Sequence, residues 1–99
     1  MKRVLDIHPE ATDEATAGVQ YYEQCELGMG TRFRTCLSDA YEEILLNPLL
    51  CRKRPGGFRR YNLPVFPYYI AFFVFRDRIY VAAVAHNSRH PDYWKGREP

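Results

Sequence analysis

The run Ile79–Arg97, "IYVAAVAHNSRHPDYWKGR", joins an apolar strand-like segment to a cluster of chemically able side chains. His86 ends the apolar run, and Arg89, His90, Tyr93, Trp94, Lys95 and Arg97 follow it. A histidine at a strand end can point into a groove and exchange a proton near neutral pH. Arg89, three residues on, carries a planar fork suited to a phosphate oxygen or to charge building on a phosphorane. Tyr93 offers a weak acid or base, or a stacking platform. Arg60, on a neighbouring strand, is expected to face the same groove. His86, Arg89, Arg60 and Tyr93 are therefore the catalytic candidates, and together they would suffice for metal-free RNA cleavage. Arg52, Lys53, Arg54, Arg59, Lys95 and Arg97 are assigned to substrate or target binding, because clustered cations meet polyanions. Each element has a plainer reading: a structural histidine, a surface ion pair between Arg89 and Asp92, and a tail packed down by Tyr93 and Trp94.

No GxSxG, Walker loop, HExxH or zinc-ligand pattern is present, so neither a metal nor a small-molecule cofactor is expected. Cys25, Cys36 and Cys51 are odd in number and lack metal-ligand spacing; they read as buried, reduced, inert thiols. The longest apolar stretch, Leu63–Phe75, is too short for a membrane helix and holds Pro64 and Pro67. Met1-Lys2-Arg3 begins like a signal peptide, but Asp6 and Glu10 arrive before any apolar core. A soluble, cytoplasmic chain is expected.

Charge is unevenly placed. Residues 1–43 hold nine acids against four Lys or Arg, a balance of −5; residues 44–99 hold three against ten, a balance of +7. Five of those cations fall between Arg52 and Arg60. A basic face for a polyanion or an acidic protein follows.

The elements that position these residues are legible in the patterning. With 99 residues, of which 46% are hydrophobic, a single domain over 1–99 is expected. Arg3–Ile7 alternates as a strand, with Leu5 and Ile7 on one face. His8-Pro9-Glu10 opens a helix, proline suiting its first turn and Glu10, Asp13 and Glu14 its positive end. Ala11, Ala15, Val19 and Tyr22 give that helix an apolar stripe. Leu27-Gly28-Met29-Gly30 breaks it. Phe33, Leu37, Ala40, Tyr41, Ile44 and Leu45 define a second helix, which Asn47-Pro48 ends. Arg52–Gly57 is a basic turn, and Arg59–Leu63, Tyr68–Phe75 and Ile79–Ala85 are strands. The expected fold is α+β, in the order β-α-α-β-β-β, with a helical hairpin on one face of a small, mostly antiparallel sheet. Both alternating sets of Tyr68–Phe75 are apolar. Two helices cover one sheet face, so the other is expected to be poorly covered and to mark a protein partner.

"HPEATDEATAGVQYYE", "GTRFRTCLSDAYEEILLNP", "RRYNLPVFPYYIAFFVF" and "IYVAAVAHNSRHPDYWKGR" together resemble the RelE/ParE superfamily of toxins from bacterial type II toxin–antitoxin (plasmid stabilisation) systems. The resemblance spans nearly the whole chain. Its His-x-x-Arg-x-Pro-x-Tyr-Trp ending looks closest to ParE-like members. It implies a growth-inhibiting toxin neutralised by a cognate antitoxin. Two targets are implied: RelE-like members cut ribosome-bound mRNA, and ParE-like members poison DNA gyrase with no known catalytic site. Arg60 and Arg89 match places where the nuclease branch keeps phosphate-binding arginines. The middle of the chain, Arg52-Lys53-Arg54, departs from that branch: no acid lies between Glu43 and Asp77, and the general base is unassigned. A non-toxic basic RNA- or ribosome-binding module, stacking bases on Tyr61, Phe66 and Tyr68, is the alternative.

Overall fold

The computed structural model describes residues 3–97. Its elements are β1 (Val4–Ile7), α1 (Pro9–Cys25), α2 (Met29–Leu46), a short 3-10 turn (Pro48–Leu50), β2 (Arg59–Asn62), β3 (Tyr68–Val74) and β4 (Arg78–His86). The sheet order is β1-β4-β3-β2. β1 runs parallel to β4, and the other two pairings are antiparallel. Two helices on this mixed sheet are the expected α+β arrangement.

α1 starts where the sequence places it. Pro9 occupies the first turn, and His8 caps it by accepting the Glu10 N–H on Nδ1 at 3.1 Å. The break between the helices is shorter than expected, because Met29 and Gly30 already belong to α2. Gly28, at φ +89°, makes the turn, and Glu23 of α1 supplies the cap that Gly28 lacks. Its carboxylate accepts from the Gly28 and Gly30 N–H groups, each at 3.0 Å. Phe33, Leu37, Ala40 and Ile44 of α2 pack with Ala11 onto Ile70, Phe72, Ile79, Val81 and Val84.

The opposite sheet face corrects an expectation. It is apolar, but the chain covers it. Trp94, 2% exposed, lies with Tyr69, Ala71, Ala83 and Ala85, and Phe58 packs edge-on against it at 4.8 Å. The Trp94 indole donates to the Tyr69 hydroxyl at 3.0 Å. The C-terminal segment is thus a third layer. The exposed apolar surface lies elsewhere, as at Leu46, Leu49 and Leu50 near the end of α2.

Other expectations also shift. Cys25 is exposed, and Cys36 and Cys51 are half-buried, so the thiols are not uniformly interior. Phe66 is a core residue, Tyr68 packs on Phe33, and the Tyr61 hydroxyl donates to Glu43. These rings are built into the helix-facing side of the sheet rather than presented for stacking. Among the described residues, no helix is long and apolar enough to cross a membrane.

Candidate functional site

A β-bulge sets the position of His86. Phe72 pairs with Val81 and Ala71 with Ala83, which leaves Ala82 as an extra residue on β4. Both Ala82 and Ala83 turn to the Trp94 side, and the alternation downstream is inverted. Val84 returns to the helix side, and His86, paired with Tyr68, follows it there. Its ring meets that of Tyr68 at 5.0 Å.

β1 ends at Ile7, opposite Val81, so the outer edge of β4 beyond that point has no strand beside it. Side chains satisfy it instead. The Val84 N–H donates to Glu14 Oε1 at 3.1 Å, and Arg97 Nη1 donates to the Ala82 carbonyl at 3.2 Å. Glu14 is the centre of the cluster. Its Oε1 also accepts from Arg97 Nη1 at 3.1 Å, and its Oε2 accepts from the Tyr93 hydroxyl at 2.7 Å. Arg89 Nη1 stands 3.6 Å from the same Oε2, and the Arg89 guanidinium lies 3.6 Å from the centre of the Tyr93 ring. Arg97 also pairs with Glu10 at 3.4 Å. The Glu14 and Arg97 side chains are 14% and 12% exposed, whereas Arg89 is 53% exposed. The pocket above them, about 140 Å³, is lined by Glu14, Tyr68, Val84, His86, Arg89 and Tyr93.

The chemistry open to these groups is narrow. His86 Nδ1 accepts the Ser88 N–H at 3.0 Å, so a neutral ring carries its proton on Nε2 and acts there as a donor. Burial, the hydrogen bond to Glu14 and the charge of Glu14 push Tyr93 well above the ordinary phenol range, so its proton is held. Glu14, the carboxylate at hand, is occupied by three donors and a nearby guanidinium.

His86, Arg89 and Tyr93 therefore meet in one pocket, and Arg60 does not join them. Arg60 pairs with Ala71, which places it on the Trp94 side of the sheet. There its guanidinium lies 3.8 Å from the centre of the Tyr69 ring, and its Nε donates to Asn62 Oδ1 at 2.8 Å. Strand alternation is the reason for the correction: neighbouring strands bring residues together only at matching parity. Arg59 takes the opposite face and donates to the Cys51 carbonyl at 2.7 Å. Arg52 and Lys53 are exposed and Arg54 is half-buried. Lys95 pairs with Asp92 at 2.8 Å, so Asp92 is not the partner of Arg89. Glu14 is the residue that sequence reasoning assigned to the helix end alone. The signal was its spacing, three residues after Ala11 and four before Gly18, both buried on α1. A carboxylate on the buried stripe of a helix needs partners.

A family model described as the ParE toxin of type II toxin–antitoxin systems, parDE, matches residues 5–91. The chain belongs to the ParE toxin family. Among solved structures, a chain from the chromosomal ParDE TA system of P. aeruginosa is similar, at 16% identity and a TM-score of 0.64. The match covers 86% of this chain and 96% of that one. At that identity the likeness carries the fold alone. A comparison with curated proteins finds no match. The family match takes in α1 with Glu14 and runs past His86 and Arg89, but it ends before Tyr93, Trp94 and Arg97. The segment that completes the pocket and covers the second sheet face thus lies outside the stretch that identifies the ParE toxin.

Proposed function

We propose that this ParE-family chain is a cytoplasmic toxin that binds and poisons DNA gyrase without cleaving RNA, and that a cognate antitoxin neutralises it. The observation that carries this reading is the occupancy of Glu14. RNA cleavage needs a group free to take the 2′-hydroxyl proton. Here the Tyr93 proton is held, Nδ1 of His86 is engaged, and Arg97 is spent on carboxylates. Arg60, a nuclease-branch counterpart, stands on the other face of the sheet. His86 and the half-exposed Arg89 remain at the rim and act as target contacts. A groove of about 360 Å³ between α1 and α2, lined in part by Ala15, Val19, Leu37 and Tyr41, offers apolar surface for an antitoxin segment.

The test uses the purified chain in two reactions. In a gyrase supercoiling assay, it inhibits supercoiling and traps cleaved DNA. In reconstituted translation, primer extension finds the mRNA intact. Arg89→Ala weakens gyrase inhibition while the protein stays folded. New ribosome-dependent mRNA ends with unimpaired gyrase would overturn the reading and return His86 and Arg89 to a nuclease. Growth that continues on expression would sink both and favour the non-toxic module.

A further inference from the structure

We infer that the basic hairpin formed by Cys51–Arg60 is a contact surface for the phosphate backbone of duplex DNA. It stands apart from the Glu14 pocket and goes beyond the gyrase reading. Arg52, Lys53, Arg54, Arg59 and Arg60 lie within nine residues, and no acid occurs between Glu43 and Asp77. Among the described residues, none of the five takes part in an ion pair. The carboxylate that precedes the hairpin, Glu43, accepts the Tyr61 hydroxyl.

The two inner arginines are fixed by neutral acceptors. Arg59 donates to the Cys51 carbonyl at 2.7 Å. Arg60 donates to the side-chain oxygens of Asn62 at 2.8 Å and Asn87 at 3.4 Å while lying on the Tyr69 ring. Their orientation is set and their charge is not offset. Arg97 is the contrast, since two carboxylates offset its charge. A preorganised, uncompensated guanidinium is suited to a phosphate.

The shape favours a duplex over an acidic protein segment. Lys53 bridges Arg59, the Arg54 N–H donates to the Phe58 carbonyl at 2.8 Å, and Gly56 and Gly57 turn the tip at φ +97° and +89°. This is a tight hairpin at the β2 edge of the sheet, its first arm bridged to β2 at Arg59 and its second arm paired with β3. Arg59 and Arg60 leave it on opposite faces. Phosphates line both walls of a duplex groove, so a hairpin with cations on both of its faces can meet two rows of them. An extended acidic peptide on one face would meet only one of the two arginines. A toxin that acts on a DNA-bound enzyme gains from such a surface, which touches the nucleic acid while other residues touch the protein.

Fluorescence anisotropy with the full chain and a labelled mixed-sequence duplex of about 20 base pairs, between about 50 and 200 mM salt, tests the inference. No gyrase is present, so this result and the gyrase result fail independently. The duplex binds with a salt-dependent affinity. Arg52→Ala/Lys53→Ala, two exposed side chains whose loss spares the fold, makes the log–log salt slope shallower by about 2, and Arg60→Ala by about 1. Arg34→Ala, an exposed cation on α2, leaves the slope unchanged. Absence of duplex binding at the lowest salt would overturn the inference. So would an equal fall in slope with Arg34→Ala, which would mean diffuse charge. Equal or tighter binding of a labelled polyglutamate peptide would overturn it in favour of an acidic protein partner.

Discussion

Three donors and a neighbouring guanidinium converge on Glu14 from α1's own neighbours: Val84 from β4, and Tyr93, Arg97 and Arg89 from the C-terminal segment. A largely buried carboxylate costs several kcal/mol to desolvate unless it is paired and bonded, and these partners offset that cost. Glu14→Gln keeps the shape and removes the charge that the partners answer. It should lower unfolding free energy at pH 7 by about 2 kcal/mol, the scale of charge-assisted bonds. The pH dependence follows from the tyrosines. Burial, then the charge of Glu14, pushes Tyr41 up to about 12, and burial with the Glu14 bond pushes Tyr93 up as well. Unfolded tyrosines ionise near pH 10, so the folded state binds more protons above that point. The contribution is therefore complete below about pH 10 and is lost as pH rises through the folded values near 12 and beyond. In Glu14→Gln that alkaline loss should be shallower. Urea unfolding from pH 7 upward reads both effects. A variant as stable as the parent, with an unchanged alkaline limb, would show that Glu14 does not fasten the segment.

At the scale of elements, the helical hairpin depends on two close approaches. A Cβ at Gly30 would stand 2.6 Å from the Val19 carbonyl oxygen, and one at Gly18 would stand 2.6 Å from the buried Phe33 ring. Alanine gains about 1 kcal/mol of helix propensity over glycine, but an overpacked contact costs about 1–3 kcal/mol. At Gly30 the obstacle is backbone, which cannot swing aside, so the clash should win. Gly30→Ala should lower the melting temperature by several degrees, on the order of 1–2 kcal/mol. An unchanged or raised melting temperature would mean that α1 and α2 part at little cost. The two apolar stripes, the Pro9 start, the Asn47-Pro48 stop and the three late strands were all legible, because each is a local signal. The bulge at Ala82 was not. Residues 82, 83 and 85 are all alanine, and β4 is apolar on both faces, so no alternation marks the slip. That one extra residue decides that His86 faces the helices. Parity across the β2–β3–β4 register likewise decides that Arg60 faces away. A pocket that joins α1 to the C-terminal segment is non-local, which is why His86, Arg89 and Tyr93 could be grouped from sequence while Glu14, 79 residues from Tyr93, could not.

For the whole molecule, the C-terminal segment substitutes for a second layer of helices. Trp94 fills the face that α1 and α2 leave open, so the apolar excess of β3 and β4 is used internally. The case for a partner rests instead on the α1–α2 groove, the leucines after α2 and the uneven charge. A domain of this size is stabilised by about 5–15 kcal/mol, and truncating a buried tryptophan costs about 3–5 kcal/mol. Trp94→Ala should therefore remove a large share of the stability, expose Tyr69 and the alanine face, and bind a hydrophobic dye. Trp94→Phe keeps most of the packing and loses the bond to the Tyr69 hydroxyl, a change of about 1 kcal/mol. These variants separate closure from target recognition. If Trp94 only closes the sheet, Trp94→Phe acts as the parent does in the assays of the proposed function, and any growth arrest weakens only in step with the loss of folded protein. A folded Trp94→Phe that no longer arrests growth would place the C-terminal layer in the target interface. A Trp94→Ala chain with parental stability and no dye binding would show that the second face needs no cover.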